Sequence, residues 1–356
     1  MGSGGDIDAA LALARTLAYS TAVLAAVLAG VTAVLRFRFM LATRAYNRLM
    51  QEWRPVIAAA MLGDFSEAGR IRLDRRNTLH FLLVCQHRHA NIRGQAIENL
   101  NHLARLVGAD AGARALLSSR NTRERLIAIL TAGELRDELA FEGLSDLLAD
   151  PNSLTSLASA RALLQIDAER AARPVLAACR KRPDWPPLRV ASLVKDAGAT
   201  CMCEALVEAL TDAEEDELPR LLTLLRAVEC SDALGASMAA LDKSDDLEVV
   251  TASLRAIADP RGLAIVRWYV SDERWQVRLQ AIRALGRLGQ ERDVETLTSA
   301  LTDRVWWVRH RAAEALSSLP FLSAEDLAGI QDACPDPYGR DALSQVRKLR
   351  ALRALP

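Results

Sequence analysis

A chain of 356 residues with 45 basic and 45 acidic side chains has no net charge, and its acidic middle and almost neutral C-terminal section lack the concentrated basic footprint that duplex nucleic acid requires. Its six cysteines show no paired CxxC spacing, which argues against a structural zinc site. The neutrality hides a division: residues 1–35 carry −1, residues 36–125 carry +9, residues 126–246 carry −10 and residues 247–356 carry +2. The basic part suits an anionic membrane surface, whereas the acidic middle is repelled by lipid and nucleic acid alike and suits a basic partner or solvent.

A short N-terminal segment, residues 1–15, precedes a run from Thr16 to Leu35 without a single charge. Coiled as a helix at about 1.5 Å per residue, that run spans roughly the 30 Å hydrocarbon core and predicts one transmembrane helix. A cleaved signal peptide would begin with a positive region and have a shorter apolar stretch. Here Asp6 and Asp8 outnumber Arg15, so a retained anchor is the better reading. Arg36, Arg38, Arg44, Arg48 and Arg54 follow the span against Glu52 alone, which places the remainder of the chain in the cytoplasm.

Residues 36–87 read as a juxtamembrane helical segment and N-terminal cap. Within Arg36–Arg54, arginines alternate with Phe37, Phe39, Tyr46 and Trp53, a mixture that suits contact with membrane lipid or packing onto the first repeat. Cys85, Cys179, Cys201, Cys203, Cys230 and Cys334 read as small buried hydrophobes, reduced in a cytoplasmic setting. Cys201 with Cys203, and Cys85 with His80, His87 and His89, fall short of a four-ligand set, so no metal is assigned.

From residue 88 to the end the sequence repeats. Asp272, Trp275, Val277, Arg278, Ala281 and Leu285 recur thirty-one residues later as Asp303, Trp306, Val308, Arg309, Ala312 and Leu316. The Arg278 position is also met at Arg93, Arg125, Ser156, Arg189, Arg220, Val250 and, weakly, Arg340. Val277, Ala281, Leu285 and Leu288 mark an inward helical face, with Gln276, Gln280, Arg283 and Arg287 opposite. Gly286 and Gly289 are expected to end that helix, and Asp293–Leu301 to form the second helix of the unit. Trp306, repeating Trp275, is expected to pack between units. A two-helix unit cannot bury its apolar face alone, so units must stack.

The pattern D-x4-V-R-x2-A-x3-L-G resembles HEAT repeats of the short, phycobilisome-lyase-like type. The resemblance is strong over Asp272–Leu316, moderate at Ile92–Leu100 and degenerate at Ser156 and Val250. It implies an all-α fold: a right-handed α-solenoid of about eight to nine HEAT-like helical hairpins over residues 88–356, preceded by the single transmembrane helix at 16–35. It also implies that Asp272, Arg278, Asp303 and Arg309 join neighbouring units at their turns, and that helices of the second set line the concave surface.

No motif points to catalysis. The histidines His80, His87, His89, His102 and His310 lack the His-Glu pairing of HEAT-like hydroxylases, and no phosphate-binding glycine loop or GxSxG motif is present. No catalytic, cofactor-binding or metal residue is assigned, and no cofactor is expected. Trp307 replaces Gln276 on the outward stripe, and exposed Trp beside Arg is enriched at interfaces. Trp307, Arg311, Arg283 and Arg287 are therefore the expected partner-binding residues. The resulting expectation is a bacterial inner-membrane scaffold or regulatory subunit that holds another membrane protein. The resemblance to membrane-anchored HEAT proteins implies a glycosyltransferase of exopolysaccharide production as that partner. The alternatives are a HEAT-like lyase-type enzyme and, less favoured, a nucleic-acid-binding HEAT protein using Trp275, Trp306 and Trp307 with the same arginines.

Overall fold

The computed structural model describes residues 4–353, apart from 75, 76, 90 and 231, and all regular structure among them is helical. The helices are α1 (Gly4–Met61), α2 (Thr78–His89), α3 (Gln95–Leu106), α4 (Ala109–Leu116), α5 (Thr122–Glu134), α6 (Phe141–Asp146), α7 (Ser153–Ile166), α8 (Ala168–Lys181), α9 (Pro187–Asp196) and α10 (Ala199–Thr211). They continue as α11 (Leu218–Val228), α12 (Ala233–Lys243), α13 (Leu247–Ala256), α14 (Leu263–Trp268), α15 (Trp275–Leu288), α16 (Val294–Ser299), α17 (Trp306–Ser318), α18 (Ala324–Ala333) and α19 (Pro337–Arg353). The chain divides into two compact units, Met1–Ala115 and Leu116–Pro356.

In the first unit, α1 runs without a break through both the expected anchor and the arginine-rich segment after it. Met50, Trp53, Val56, Ile57 and Ala60 form a buried stripe at helical spacing near its C-terminal end. The Trp53 indole meets Phe81 of α2 edge-on at 5.6 Å, so Trp53 belongs to the core of this unit and not to a lipid surface. Earlier in the helix the described apolar side chains Leu24, Val27, Leu28, Val31, Val34, Leu35 and Phe37 are all exposed. Among the described residues no helix is long and apolar enough to cross a membrane. The transmembrane helix expected at 16–35 is thus not found there; the side chains of residues 16–18, 20, 22 and 23 lie outside the described set.

The second unit is a stack of helical hairpins. One layer consists of α5, α7, α9, α11, α13, α15, α17 and α19, the other of α6, α8, α10, α12, α14, α16 and α18. Its apolar positions fill at the predicted register: Val277, Ala281, Leu285, Val308, Ala312 and Leu316 are wholly buried. Gly286 departs from its expected role. It lies inside α15, where a Cβ would stand 2.7 Å from Ala315, so the residue permits close approach of α17. The helix closes at Gly289 instead.

A small turn recurs six residues before the Arg278 register. Asp150, Asp272 and Asp303 each accept a hydrogen bond from the backbone N–H two residues on, at 2.8 Å. Ser119 and Ser244 do the same through their hydroxyls, at 3.2 and 3.0 Å. A side-chain acceptor at that spacing satisfies an N–H at the start of a helix and fixes the chain's direction into it.

The arginines of the register bind these turns together. Arg125, Arg278 and Arg309 each donate to the carbonyl six residues back. Each also reaches forward to the next unit: Arg125 to Asp150 at 3.0 Å, Arg278 to Asp303 at 2.7 Å and Arg309 to Asp336 at 3.6 Å. Where the register holds Ser156, the next unit supplies Trp185, fully buried, whose indole N–H donates to the Ser156 hydroxyl at 2.9 Å. Where it holds Val250, Arg274 of the following unit reaches back to the Asp245 carbonyl and carboxylate.

Two cysteines correct the reading of all six as separate thiols. Cys203 on α10 and Cys230 after α11 are joined in a disulfide with a Cα separation of 5.2 Å, the ordinary range for such a bond. Their spacing along the chain, 27 residues, follows no known motif, and only the hairpin packing brings them together.

Burial also acts on Glu134, pushing its carboxyl up to about 7 against the pull of Arg161. The folded value lies above the ordinary 4.5, so the contribution to stability is full below that value and is lost as pH rises through about 7. Glu134→Gln should therefore melt higher than wild type at about pH 8 and nearly level with it at about pH 4. Equal melting temperatures at the higher pH would show that the carboxylate is not held against its charge.

Candidate functional site

The layer containing α11, α13, α15, α17 and α19 carries the residues predicted to meet a partner. Each of these helices packs on the next, so one side of each faces the hairpin core and the other is left open. Arg283 and Arg287 on α15 and Arg311 on α17 share a cleft of about 530 Å³, with Glu314, Leu349 and Arg350 also in its lining. Arg311 is neutralised by Glu314 at 2.5 Å, three residues further along the same helix. Arg287 donates to the Ile257 carbonyl at 3.1 Å, and among the described residues no carboxylate stands in ion-pair contact with Arg283 or Arg287.

Burial lowers the Arg287 guanidinium to about 10, and the positive charges of Arg226 and Arg283 add to that effect. Arg283 is lowered in the same direction by burial and then by Arg226, Arg311 and Arg255. Arg255 is lowered by burial and by Arg226. The face thus gathers positive charge from α11, α13 and α15, including Arg226 and Arg255, which the sequence reading did not single out. A signal for Arg255 existed: it follows Val250 by five residues, as Arg283 follows Arg278. Arg350, at the end of the cleft, had no such signal because the register has decayed by α19.

Trp307 lies in the first turn of α17, one turn before Arg311, and is 57 % exposed. It is not part of the cleft lining. Instead it meets Trp306 edge-on at 4.6 Å, while Trp306 stacks flat on His310 at 5.1 Å. The expectation that Trp306 packs between units fails: it is 47 % exposed, and Trp275 is 37 % exposed. The reason is positional. Each is the first residue of its helix, and the inward face begins two residues later, at the buried Val277 and Val308. The four expected partner residues are therefore three cleft arginines and a tryptophan in an aromatic cluster one helical turn away.

Asp272, Arg278, Asp303 and Arg309 lie at the turns between units. Arg278 is buried, with both guanidinium edges occupied: one by the Asp303 carboxylate at 2.7 and 3.0 Å, the other by the carbonyls of Asp272 and Glu273. Burial acts to raise the Asp303 carboxyl, but the bonds from Arg278 and the Val305 N–H outweigh it and hold it below the ordinary value. Asp272 is also held low, first by Arg274. Among the described residues no group of three or more His, Cys, Asp or Glu side chains comes together to hold a metal ion.

Stacked hairpins joined by an arginine–aspartate ladder define an α-solenoid repeat protein. The family model for HEAT repeats matches residues 250–317, the segment in which the ladder and the apolar register are most regular. Among solved structures, the chain is similar to the crystal structure of an engineered protein at 16% identity, covering 82% of this chain and 87% of that one with a TM-score of 0.34. That likeness is too loose to carry an argument. No curated protein matches the chain. HEAT repeats serve in general as protein-interaction scaffolds, because stacked units offer a long continuous surface.

Proposed function

We propose that this chain is a non-catalytic scaffold tethered to a membrane by α1, and that it docks another membrane protein on the open face of α15, α17 and α19. The observation that carries the docking part is the exposed Trp307, one turn before Arg311, on the layer where Arg283 and Arg287 are in ion-pair contact with no carboxylate among the described residues. Trp and Arg are the residue types that most often anchor protein interfaces. The tether is supported by α1, where consecutive described apolar side chains from Leu24 to Phe37 are exposed on every side of the helix. Each loses roughly 25 cal/mol per Å² of apolar surface left in water, a cost that a lipid environment removes. Tethering confines the scaffold near its partner and raises effective concentration. A membrane glycosyltransferase remains the partner that the family resemblance implies.

The arginines after the apolar stretch favour the cytoplasmic side. One observation favours a second reading: the Cys203–Cys230 disulfide suits an oxidising compartment, where such bonds persist. Alkaline carbonate washing of membranes, followed by thiol labelling before and after reduction, tests both parts. The proposal expects the full-length chain to stay in the membrane pellet and, because a reducing cytoplasm opens the bond that the fold brings together, Cys203 and Cys230 to label without reduction in native cells. Release into the wash would remove the tether. Labelling only after reduction would move the repeats to the opposite side.

A further inference from the structure

We infer that the arginines on the open side of α11, α13, α15 and α19 form a track for an extended acidic segment of the docked partner. This rests on the proposed docking role of that face and names what the face takes. Arg226, Arg255, Arg283, Arg287 and Arg350 come from four helices of one layer. Several arginines elsewhere in the unit are matched with carboxylates, Arg180 with Glu217, Arg267 with Asp293, Arg274 with Asp272 and Arg278 with Asp303, while Arg220, Arg292, Arg304 and Arg347 bond carbonyl or amide oxygens singly. Along the track none of the five is in ion-pair contact among the described residues. Arg255 bonds only Thr251 of its own helix, and Arg287 only the Ile257 carbonyl. Packed like charges without counter-charges repel, and a ligand that supplies carboxylates relieves the repulsion.

Geometry selects the kind of anion. Neighbouring packed helices stand about 8–10 Å apart, close to one turn of an extended polyproline-II segment, three residues at roughly 3.1 Å each, which returns every third side chain to the same side. A peptide laid across the layer therefore offers about one side chain in three to successive helices. Guanidinium groups bind carboxylates through two parallel hydrogen bonds, a fit that lysine lacks, and the chain's only lysines are Lys181, Lys195, Lys243 and Lys348. The cleft at the end of the track adds Ala315, Val346 and Leu349 as apolar lining for a side chain between carboxylates. Glu314 lines that cleft, and Asp216 and Glu248 line a second hollow of about 430 Å³ beside Arg255. A continuous phosphate backbone meets repulsion from these carboxylates. A peptide with spaced charges passes between them.

The test uses the full-length chain in detergent micelles and a fluorescein-labelled peptide with Asp at every third position among Ala and Leu. Controls are the same peptide with Asn for Asp, phosphatidylserine vesicles and single-stranded oligothymidine. The acidic peptide should bind, the Asn peptide should not, and binding should weaken with added salt as exposed ion pairs do. Replacing Arg255, Arg283 and Arg350 together by Ala should weaken peptide binding about tenfold or more, with helicity and melting temperature retained. Absence of peptide binding, unchanged binding to a folded triple variant, or a loss confined to vesicles or oligonucleotide would overturn the track. If the triple variant instead unfolds, Arg255→Lys with Arg283→Lys, which keeps the charge but not the fork, decides: weaker binding supports the track and equal binding overturns it. A partner that copurifies with wild type and is lost with Trp307→Ala, while the peptide fails to bind, removes the track and leaves the docking face standing. Peptide binding without any copurifying partner removes the docking reading alone.

Discussion

Arg278→Ala is expected to destabilise the repeats on both sides of α15 by about 3–5 kcal/mol, the usual cost of stranding one partner of a buried ion pair. The guanidinium is 8% exposed and closes two turns at once, its own through Asp272 and Glu273 and the next through Asp303. Its removal leaves a carboxylate half-buried against a turn that only the Val305 N–H then stabilises. In a repeat array the loss is local, because each unit contacts only its neighbours. Limited proteolysis should therefore open the chain between α15 and α19 first, with a low-temperature step in the thermal melt. A pH dependence accompanies this. Asp303 is held below 3.8 in the fold, so its contribution is present above that value and is lost as pH falls below it. Arg278→Ala should flatten acid unfolding in that range. A variant with wild-type protease resistance and acid stability would show that the ladder is ornamental.

The second large effect is expected at Leu285, wholly buried in the core shared by α13, α15 and α17. Leu285→Ala removes a side chain from a packed interior and leaves a cavity, at a cost of about 2–5 kcal/mol. The two substitutions touch different features of one helix, the turn and the core. Each should shift the same low-temperature step in the melt, with m-values in urea unchanged if the native fold is otherwise retained. If Leu285→Ala melts with wild type, the register that places Val277, Ala281 and Leu285 on one inward face is wrong.

The repeat register was legible because it is written along single helices. Val277, Ala281 and Leu285 are set by the pitch of α15, and their copies thirty-one residues on by the return of the same pitch in α17. The ladder was legible for a related reason: Asp272 and Arg278 recur at fixed spacing, and the family resemblance supplied their role. Features that depend on two non-equivalent positions in neighbouring units were hidden. Trp185 lies among prolines between α8 and α9, yet it fills the gap left by Ser156. Cys203 and Cys230 occupy different positions of their hairpins. Gly286 reads as a helix end, and only the approach of Ala315 shows its use. At the candidate site the three cleft arginines were readable from the outward stripe of α15 and α17. Arg226 and Arg350 join the face through helices whose repeats have drifted, whereas Arg255 keeps the spacing of Arg283 but follows a register position held by Val250. Trp306 was misplaced because its recurrence suggested the core, whereas the inward face of α17 begins at Val308.

The central claim, a scaffold that holds a membrane partner through the Trp307–Arg311 face, is tested most directly by copurification from detergent-solubilised native membranes. Wild type and the Trp307→Ala/Arg311→Ala double variant would be expressed at equal levels, and their stoichiometric companions identified by mass spectrometry. The account predicts one integral-membrane companion with wild type and its loss from the double variant, a change of about 2 kcal/mol or more at an interface anchor, with helicity, melting temperature and membrane association preserved. An undiminished companion on a folded, membrane-associated double variant would contradict it.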